Sequence, residues 1–131
     1  VVDGEPSGLA RQISSATAAA MTEIQNAARP GAKISELQAR GRQAFRRAGL
    51  ADADQAFIFF HGLGLEHIDM ELPASRHDWS LEEGMVISAH LYVPGDDRHR
   101  SWLEEIFLVT RDGGDPFFTW GNEPIAGAPT R

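Results

Sequence analysis

The sequence predicts an α+β domain in which two helices pack on one face of a sheet. Two segments in the first half of the chain have helical periodicity, and short apolar or β-branched runs dominate the second half. The helices come first and the strands follow, without the strand–helix alternation of parallel α/β proteins. We therefore expect an antiparallel or mixed sheet that carries both helices on the same side.

The first predicted helix covers residues 7–29. Ser7 follows a proline and is a candidate N-cap, and apolar residues recur after it every three to four positions. Pro30 and Gly31 interrupt this pattern, so we expect the helix to end before them.

The second predicted helix covers residues 35–48. Ser35 with Gln38 three positions later has the pattern of a capping box, which indicates a helix start. Gly49 suits the position after a helix end, because glycine adopts positive φ at low cost. Both helices are amphipathic and rich in alanine, which favours packing of one face on a sheet.

Four strands are predicted after the helices. Each is a short run rich in apolar, β-branched or aromatic residues, and turn residues separate the runs. The sequence Asp-Gly-Gly at residues 112–114 is expected to end the third strand. The tail from Gly121 to Arg131 is small and polar, and we expect it to be irregular. The predicted strands lie near residues 56–60, 84–93, 102–111 and 115–120.

Composition narrows the class of protein. The chain has 131 residues, of which 42% are hydrophobic and 24% charged, as in a globular domain. No apolar run approaches the roughly 20 residues that span a bilayer, so we expect no membrane association. The absence of cysteine excludes disulfides and thiolate metal sites, and it fits a cytoplasmic protein. A net charge of −7 argues against nucleic-acid binding.

The stretch FFHGLGLEHIDMELP at residues 59–73 carries the first candidate site residues. His61 follows an apolar run and precedes glycines at 62 and 64, which allow another backbone to approach closely. This pattern suits a metal ligand or an acid–base residue, or alternatively a hydrogen-bonded core histidine beside a glycine bulge. His67 lies among acidic residues, where it can shuttle protons or simply belong to a solvated loop.

Two further candidates lie on the later strands. His90 interrupts an apolar run, and strand alternation places Ser88 and Tyr92 on its face. That polar face either lines a cleft or faces water. Glu104 and Glu105 are consecutive, so they point to opposite faces of their strand, and one of them points inward unless the strand lies at a sheet edge. An inward carboxylate is costly unless it meets a cation, a metal ion or a proton.

Taken in order, these motifs resemble the pita-bread metallopeptidases, the family of Xaa-Pro aminopeptidase, prolidase, methionine aminopeptidase and creatinase. The segment ARPGAKISELQARGRQAFRRAGL resembles the family's helix–Pro-Gly–helix segment, and HGLGLEHID is similar to its His-Gly-x-Gly-Leu motif. LEEGMVIS resembles the approach to a metal-binding glutamate, and WLEEIFLVTRDGG resembles the strand that carries the last one. The resemblance covers nearly the whole chain.

The resemblance implies a pita-bread fold and a site for two divalent ions such as Mn²⁺, Co²⁺ or Zn²⁺. In the family, two Asp, one His and two Glu hold the ions, and water attacks the substrate carbonyl. His61 matches the metal-binding histidine and Glu104 the last metal-binding glutamate. Glu105 matches the acidic residue that usually follows.

This sequence departs from the family pattern at three places. Counting from Gly84 places His90 at the other metal-binding glutamate, whereas counting back from Tyr92 places Ser88 there. The substrate-side histidine matches Ile68, one residue after His67, so His67 is our candidate catalytic residue only if a local bulge turns it inward. The family's two metal-binding Asp precede the segment that matches the start of this chain.

We therefore expect residues 1–131 to be the C-terminal part of a pita-bread catalytic domain. The full-length protein is expected to hydrolyse a small peptide or a related C–N bond with a divalent metal, with His61, His90 and Glu104 as ligands. The isolated chain is expected to be inactive and to bind metal weakly or not at all. The alternatives are a metal-independent, creatinase-like hydrolase and a non-catalytic remnant or binding module. An open sheet edge also predicts pairing into a homodimer.

Overall fold

The computed structural model shows two helices on one face of a five-stranded antiparallel sheet. The predicted α+β class and the packing of both helices on one side are therefore confirmed. The helices are α1 (Gly8–Ala27) and α2 (Ile34–Arg47), and a short 3₁₀ turn spans Ala53–Gln55. The strands of the sheet are β2 (Phe57–Gly62), β3 (Met70–Glu71), β4 (Val86–Val93), β5 (Ser101–Thr110) and β6 (Gly113–Pro116). Their order across the sheet is β3-β2-β4-β5-β6. The structure describes residues 2–3, 5–50, 53–65, 70–71, 78–93, 100–118 and 126–127.

Helix α1 begins as its sequence predicts. Ser7 is the N-cap, and its hydroxyl accepts a hydrogen bond from the Ala10 amide at 3.1 Å. The buried face of the helix repeats at helical spacing and comprises Ile13, Ala16, Thr17, Ala20, Met21 and Ile24. Within the described ranges, no helix is both long and apolar enough to cross a membrane.

Helix α2 begins one residue earlier than predicted, and Ser35 is not its N-cap. Lys33 holds that position, and the Glu36 carboxylate accepts a hydrogen bond from the Lys33 amide at 3.3 Å. Ser35 instead donates to Asp78, through its amide at 3.0 Å and its hydroxyl at 2.7 Å. These two bonds lower the pKa of Asp78 below its usual value, because they favour the ionised carboxylate. The prediction that Gly49 follows the helix end is confirmed, and its φ of 72° is one that glycine adopts easily.

The sheet has two chemically different faces because side chains alternate along each strand. The face toward the helices is mostly apolar, and the opposite face, here called the site face, carries the polar and aromatic residues of the candidate site. The core residues contributed by β2, β4 and β5 are Ile58, Phe60, Ile87, Ala89, Leu91, Val93, Phe107 and Val109. Helix α2 reaches this layer closely at Gly41, where an added Cβ would lie 2.7 Å from Ile58 Cδ1.

The last strand of the sheet lies earlier than predicted. Strand β6 spans Gly113–Pro116, and Phe117 and Phe118, which were predicted to be extended, follow it. The Asp-Gly-Gly sequence does end β5, but the chain reverses there at once and pairs Gly113 with Thr110. Gly113 has φ +138°, a conformation that other residues rarely adopt, so it fixes this tight reversal.

Two short pairings were not predicted. Strand β1 (Val2–Asp3) pairs in parallel with β7 (Ala126–Gly127), so the prediction that the whole tail is irregular is wrong at these two residues. Strand β3 pairs with His61 and Gly62 at the end of β2. A two-residue strand is held by backbone hydrogen bonds and needs no hydrophobic pattern. The amino-acid sequence therefore did not reveal these two pairings.

Candidate metal centre

Three neighbouring strands bring the candidate ligands together on the site face. Strand β4 lies between β2 and β5 and contributes Ser88 and His90, two residues apart and therefore on one side. Ser88 is opposite His61 of β2, and His90 is opposite Glu104 of β5. The antiparallel register thus assembles the cluster from residues far apart in sequence.

The cluster is compact and largely shielded from solvent. His61 Nε2 lies 3.0 Å from His90 Nε2, and His90 Nε2 lies 3.5 Å from Glu104 Oε1. One candidate ligand atom from each of these residues lies within 4.8 Å of the others. Both imidazoles are buried, whereas the Glu104 side chain is 41% exposed. The cluster is therefore open to solvent on the Glu104 side.

Hydrogen bonds orient the cluster. His61 Nδ1 lies 3.1 Å from the Gly62 carbonyl oxygen, which can only accept, so Nδ1 carries a proton and donates it. A neutral His61 consequently presents the lone pair of Nε2 to the cluster. Ser88 Oγ donates to Glu104 Oε1 at 3.0 Å and accepts from His90 Nε2, which lies 3.1 Å away.

Both alternatives for the middle family position lie in the cluster. The His90 ring reaches the other candidate ligands directly, and Ser88 lies beneath it, fully buried, with its hydroxyl between His90 and Glu104. Ser88 is therefore placed to position its neighbours. The assignment of His61, His90 and Glu104 as metal ligands stays a prediction. His67 lies outside the described residues, and its catalytic role also stays a prediction.

Glu105 points to the opposite side of β5, as strand alternation predicts. It is opposite Ala89 on the helix-facing side and only 5% exposed. Burial raises the pKa of this carboxyl, because removal from water disfavours the charged form. The two consecutive glutamates thus have separate environments, and only Glu104 belongs to the cluster.

Two aromatic rings contact His90, and these residues, Phe59 and Trp102, were not among those predicted for the site. Phe59 stacks on His90 with ring centroids 4.2 Å apart and planes 6° apart. Trp102 stands edge-on to His90, with centroids 5.8 Å apart. Phe59 and Trp102 each lie two residues from a candidate ligand, His61 and Glu104, and so on the same face of the strand. This spacing points to the site only once the strand register is known.

The donor set fits one divalent cation. Ligands about 2.0–2.1 Å from a tetrahedral ion lie roughly 3.4 Å from one another. His90 Nε2 lies at similar distances, 3.0 Å from His61 Nε2 and 3.5 Å from Glu104 Oε1. Imidazoles are borderline ligands and a carboxylate is a hard one, so a set with two imidazoles and a single carboxylate suits Zn²⁺ or Co²⁺ better than Mn²⁺. The proton on His90 Nε2 points toward Ser88 and His61, so binding of a metal ion through this nitrogen would displace that proton.

Sequence relatives support a peptidase family. The family model described as metallopeptidase family M24 matches residues 1–111. A Xaa-Pro dipeptidase of Lactobacillus delbrueckii subsp. lactis is 34% identical over 121 residues, which cover 89% of this chain and 32% of that protein. An uncharacterized peptidase of Staphylococcus aureus is 31% identical over 112 residues, which cover 84% of this chain and 31% of that protein. The chain thus spans about a third of the length of the curated relatives it matches.

Solved structures share the fold. Dipeptidase PepE from Mycobacterium ulcerans superposes with a TM-score of 0.79 and 27% identity, over 95% of this chain and 33% of that one. The X-Pro aminopeptidase from Thermotoga maritima gives a TM-score of 0.78 at 21% identity, over 98% and 35%. Helices and sheet are those of part of the pita-bread fold, as the resemblance implied. With this fold and a family model matched over most of its length, the chain belongs to metallopeptidase family M24.

Proposed function

We propose that this chain supplies one side of the active site of a metal-dependent hydrolase that cleaves peptide bonds in small peptides. The observation that carries the proposal is the convergence of His61, His90 and Glu104 on one face of the sheet, with candidate ligand atoms within 4.8 Å. The relatives are about three times as long, so we also propose that residues 1–131 are the C-terminal part of the catalytic domain.

Each residue of the cluster has a separable task. His61 offers Nε2 as a ligand because the Gly62 carbonyl fixes its tautomer, and Glu104 offers the carboxylate that offsets the charge of a cation. Ser88 restrains His90 and Glu104 through its hydroxyl. A divalent ion bound by these residues supplies Lewis-acid activation of water and of the scissile carbonyl.

The substrate class follows from the relatives. A protein named Xaa-Pro dipeptidase is similar to this chain in sequence, and one named X-Pro aminopeptidase shares its fold. We therefore propose a small peptide with proline after the scissile bond. The described residues provide ligands for one ion. A second ion of the kind implied by the family resemblance requires carboxylates from elsewhere in the protein.

The test is turnover of Xaa-Pro dipeptides by the intact protein before and after metal removal. We expect hydrolysis that a chelator abolishes and added Zn²⁺, Co²⁺ or Mn²⁺ restores. His61→Ala should abolish turnover. Glu105→Gln, which changes a carboxyl on the opposite side of the sheet, should retain it. Turnover that persists in His61→Ala, or none in fully metal-loaded protein, would overturn the proposal.

One observation favours a second candidate, a metal-independent hydrolase of the creatinase kind. His61 and His90 are hydrogen-bonded through their Nε2 atoms at 3.0 Å, so the pair can pass a proton without any cation. The same chelator experiment separates the candidates, because C–N hydrolysis by this pair would continue in metal-free protein.

A further inference from the structure

The imidazole of His90 rests on an aromatic ring as well as on the polar atoms of the cluster. Phe59 lies opposite His90 in the register of β2 and β4, and their rings are stacked, with centroids 4.2 Å apart and planes 6° apart. Trp102 stands edge-on to the same imidazole. His90 is only 7% exposed, so these contacts lie in surroundings largely shielded from water. One face of this candidate ligand is therefore covered by the Phe59 ring.

The stack and the hydrogen bonds restrain different motions of the His90 ring. A metal ion binds an imidazole in the plane of the ring, along the lone pair of the nitrogen, so the orientation of the ring decides where the ion can lie. The hydrogen bonds to Ser88 and His61 act at Nε2 alone and leave the ring able to tilt about that atom. The near-parallel Phe59 ring opposes this tilt, because it contacts the face of the imidazole. Phe59 thus keeps the ring plane directed toward the point that Nε2 shares with the other candidate ligands.

The face of Phe59 also favours a metal-bound His90 electrostatically. The π system of a phenyl ring has a negative face, which attracts positive charge within about 6 Å of the ring centroid. A divalent ion on Nε2 draws electron density from the imidazole, whose centroid lies 4.2 Å from that of Phe59. Such attraction is stronger in a shielded site than at an exposed one. The stack should therefore become stronger when a metal ion binds, and it contributes to metal affinity as well as to folding.

We propose that Phe59 is a positioning residue for metal binding, which acts through His90 by fixing its ring plane and by favouring its metal-bound form. The inference rests on the proposed function for the presence of the metal centre. It goes beyond that function because Phe59 offers no ligand atom of its own. Loss of an outer-shell partner typically lowers metal affinity 10–100-fold, and we expect about tenfold here, because the contact is a stack and not a hydrogen bond.

The test is a competition titration of Zn²⁺ against a chromogenic chelator, carried out on the intact protein at fixed pH. Phe59→Leu keeps an apolar side chain but removes the π face, and it should bind zinc about tenfold more weakly than the wild type. Phe59→Tyr keeps the ring and should restore most of this loss. Phe57→Leu is the matched control, because it makes the same change on the same face of β2, opposite Tyr92 and farther from the cluster. It should bind zinc as the wild type does.

A series of fluorinated phenylalanines at position 59 separates this role from simple packing. Successive fluorine atoms weaken the negative charge on the ring face while the shape of the ring changes little, so these variants should stay folded even if Phe59→Leu does not. Thermal unfolding checks this for each variant. Zinc affinity should fall stepwise with the number of fluorine atoms. Wild-type affinity in folded Phe59→Leu, or an affinity that fluorination leaves unchanged, would overturn the inference.

The inference and the proposed function fail separately. If the wild-type protein binds no zinc, the metal-dependent function is overturned and the role of Phe59 with it. If zinc binding is independent of Phe59 in a protein that hydrolyses Xaa-Pro dipeptides, the function stands and the inference is overturned. If zinc binding depends on Phe59 but the protein hydrolyses no peptide, the inference stands and the hydrolytic proposal fails.

Discussion

Replacing Ser88 by alanine should weaken metal binding without disturbing the fold. The Ser88 hydroxyl lies 3.1 Å from His90 Nε2 and 3.0 Å from Glu104 Oε1, so it restrains two candidate ligands at once. The Glu104 side chain is 41% exposed and, once released, regains rotamer freedom that metal binding must remove again. Ordering a glutamate side chain costs up to about 1.5–2 kcal/mol, which corresponds to a loss of roughly ten- to thirtyfold in affinity.

The assay is a competition titration of Zn²⁺ against a chromogenic chelator at neutral pH, with thermal unfolding recorded for each variant. Ser101→Ala is the matched control, because the Ser101 hydroxyl is hydrogen-bonded to Thr17 on the helix-facing side of β5. Its zinc affinity should equal that of the wild type. A zinc affinity of Ser88→Ala within twofold of the wild type, with the fold intact, would refute the positioning role.

Three further predictions concern stability. Gly41→Ala gains about 1 kcal/mol of helix propensity but forces a Cβ to 2.7 Å from Ile58 Cδ1 and 3.0 Å from Ile24 Cδ1. Overpacking costs about 1–3 kcal/mol, so we expect a net loss of roughly 1 kcal/mol in urea unfolding, which Ile58→Val should relieve in part. Glu105→Gln should stabilise the protein at neutral pH, because burial raises the pKa of Glu105 and makes its charged form costly in the folded state. The gain in stability should shrink as pH falls toward 4.5 and vanish below it, whereas a gain independent of pH would contradict the prediction. Asp78→Asn should destabilise the protein above about pH 4, because hydrogen bonds from Ser35 lower the pKa of Asp78, and wild type and variant should converge as pH falls through that lowered value.

The elements that local patterns define were predictable from the sequence. The Ser7 cap, the stop at Gly49 and the apolar runs of β2, β4 and β5 depend on residues within a few positions of one another. The start of α2 was not predictable in the same way. Asp78, which binds Ser35, is 43 residues away in sequence, and no local rule anticipates it.

The candidate site was predictable in its membership but not in its geometry. Alternation alone places Ser88 and His90 on one face and separates Glu104 from Glu105. Which residues lie opposite one another depends on strand register, and that register brings His61 to Ser88 and His90 to Glu104. Residue chemistry and the family resemblance together supplied these residues as candidates, whereas the hydrogen bonds of Ser88 and the stacking of Phe59 on His90 are properties of the folded sheet.

The most direct measurement is the zinc affinity of the intact protein with one carboxylate removed from either side of the same strand. Glu104→Gln removes a candidate ligand, and Glu105→Gln makes the same chemical change one residue later, on the helix-facing side. Calorimetric titration should show at least about a 100-fold loss for Glu104→Gln and for His61→Ala, because loss of a direct ligand exceeds the 10–100-fold effect of losing an outer-shell partner. Glu105→Gln should bind zinc as the wild type does. Equal affinities for Glu104→Gln and Glu105→Gln would contradict a metal centre at His61, His90 and Glu104.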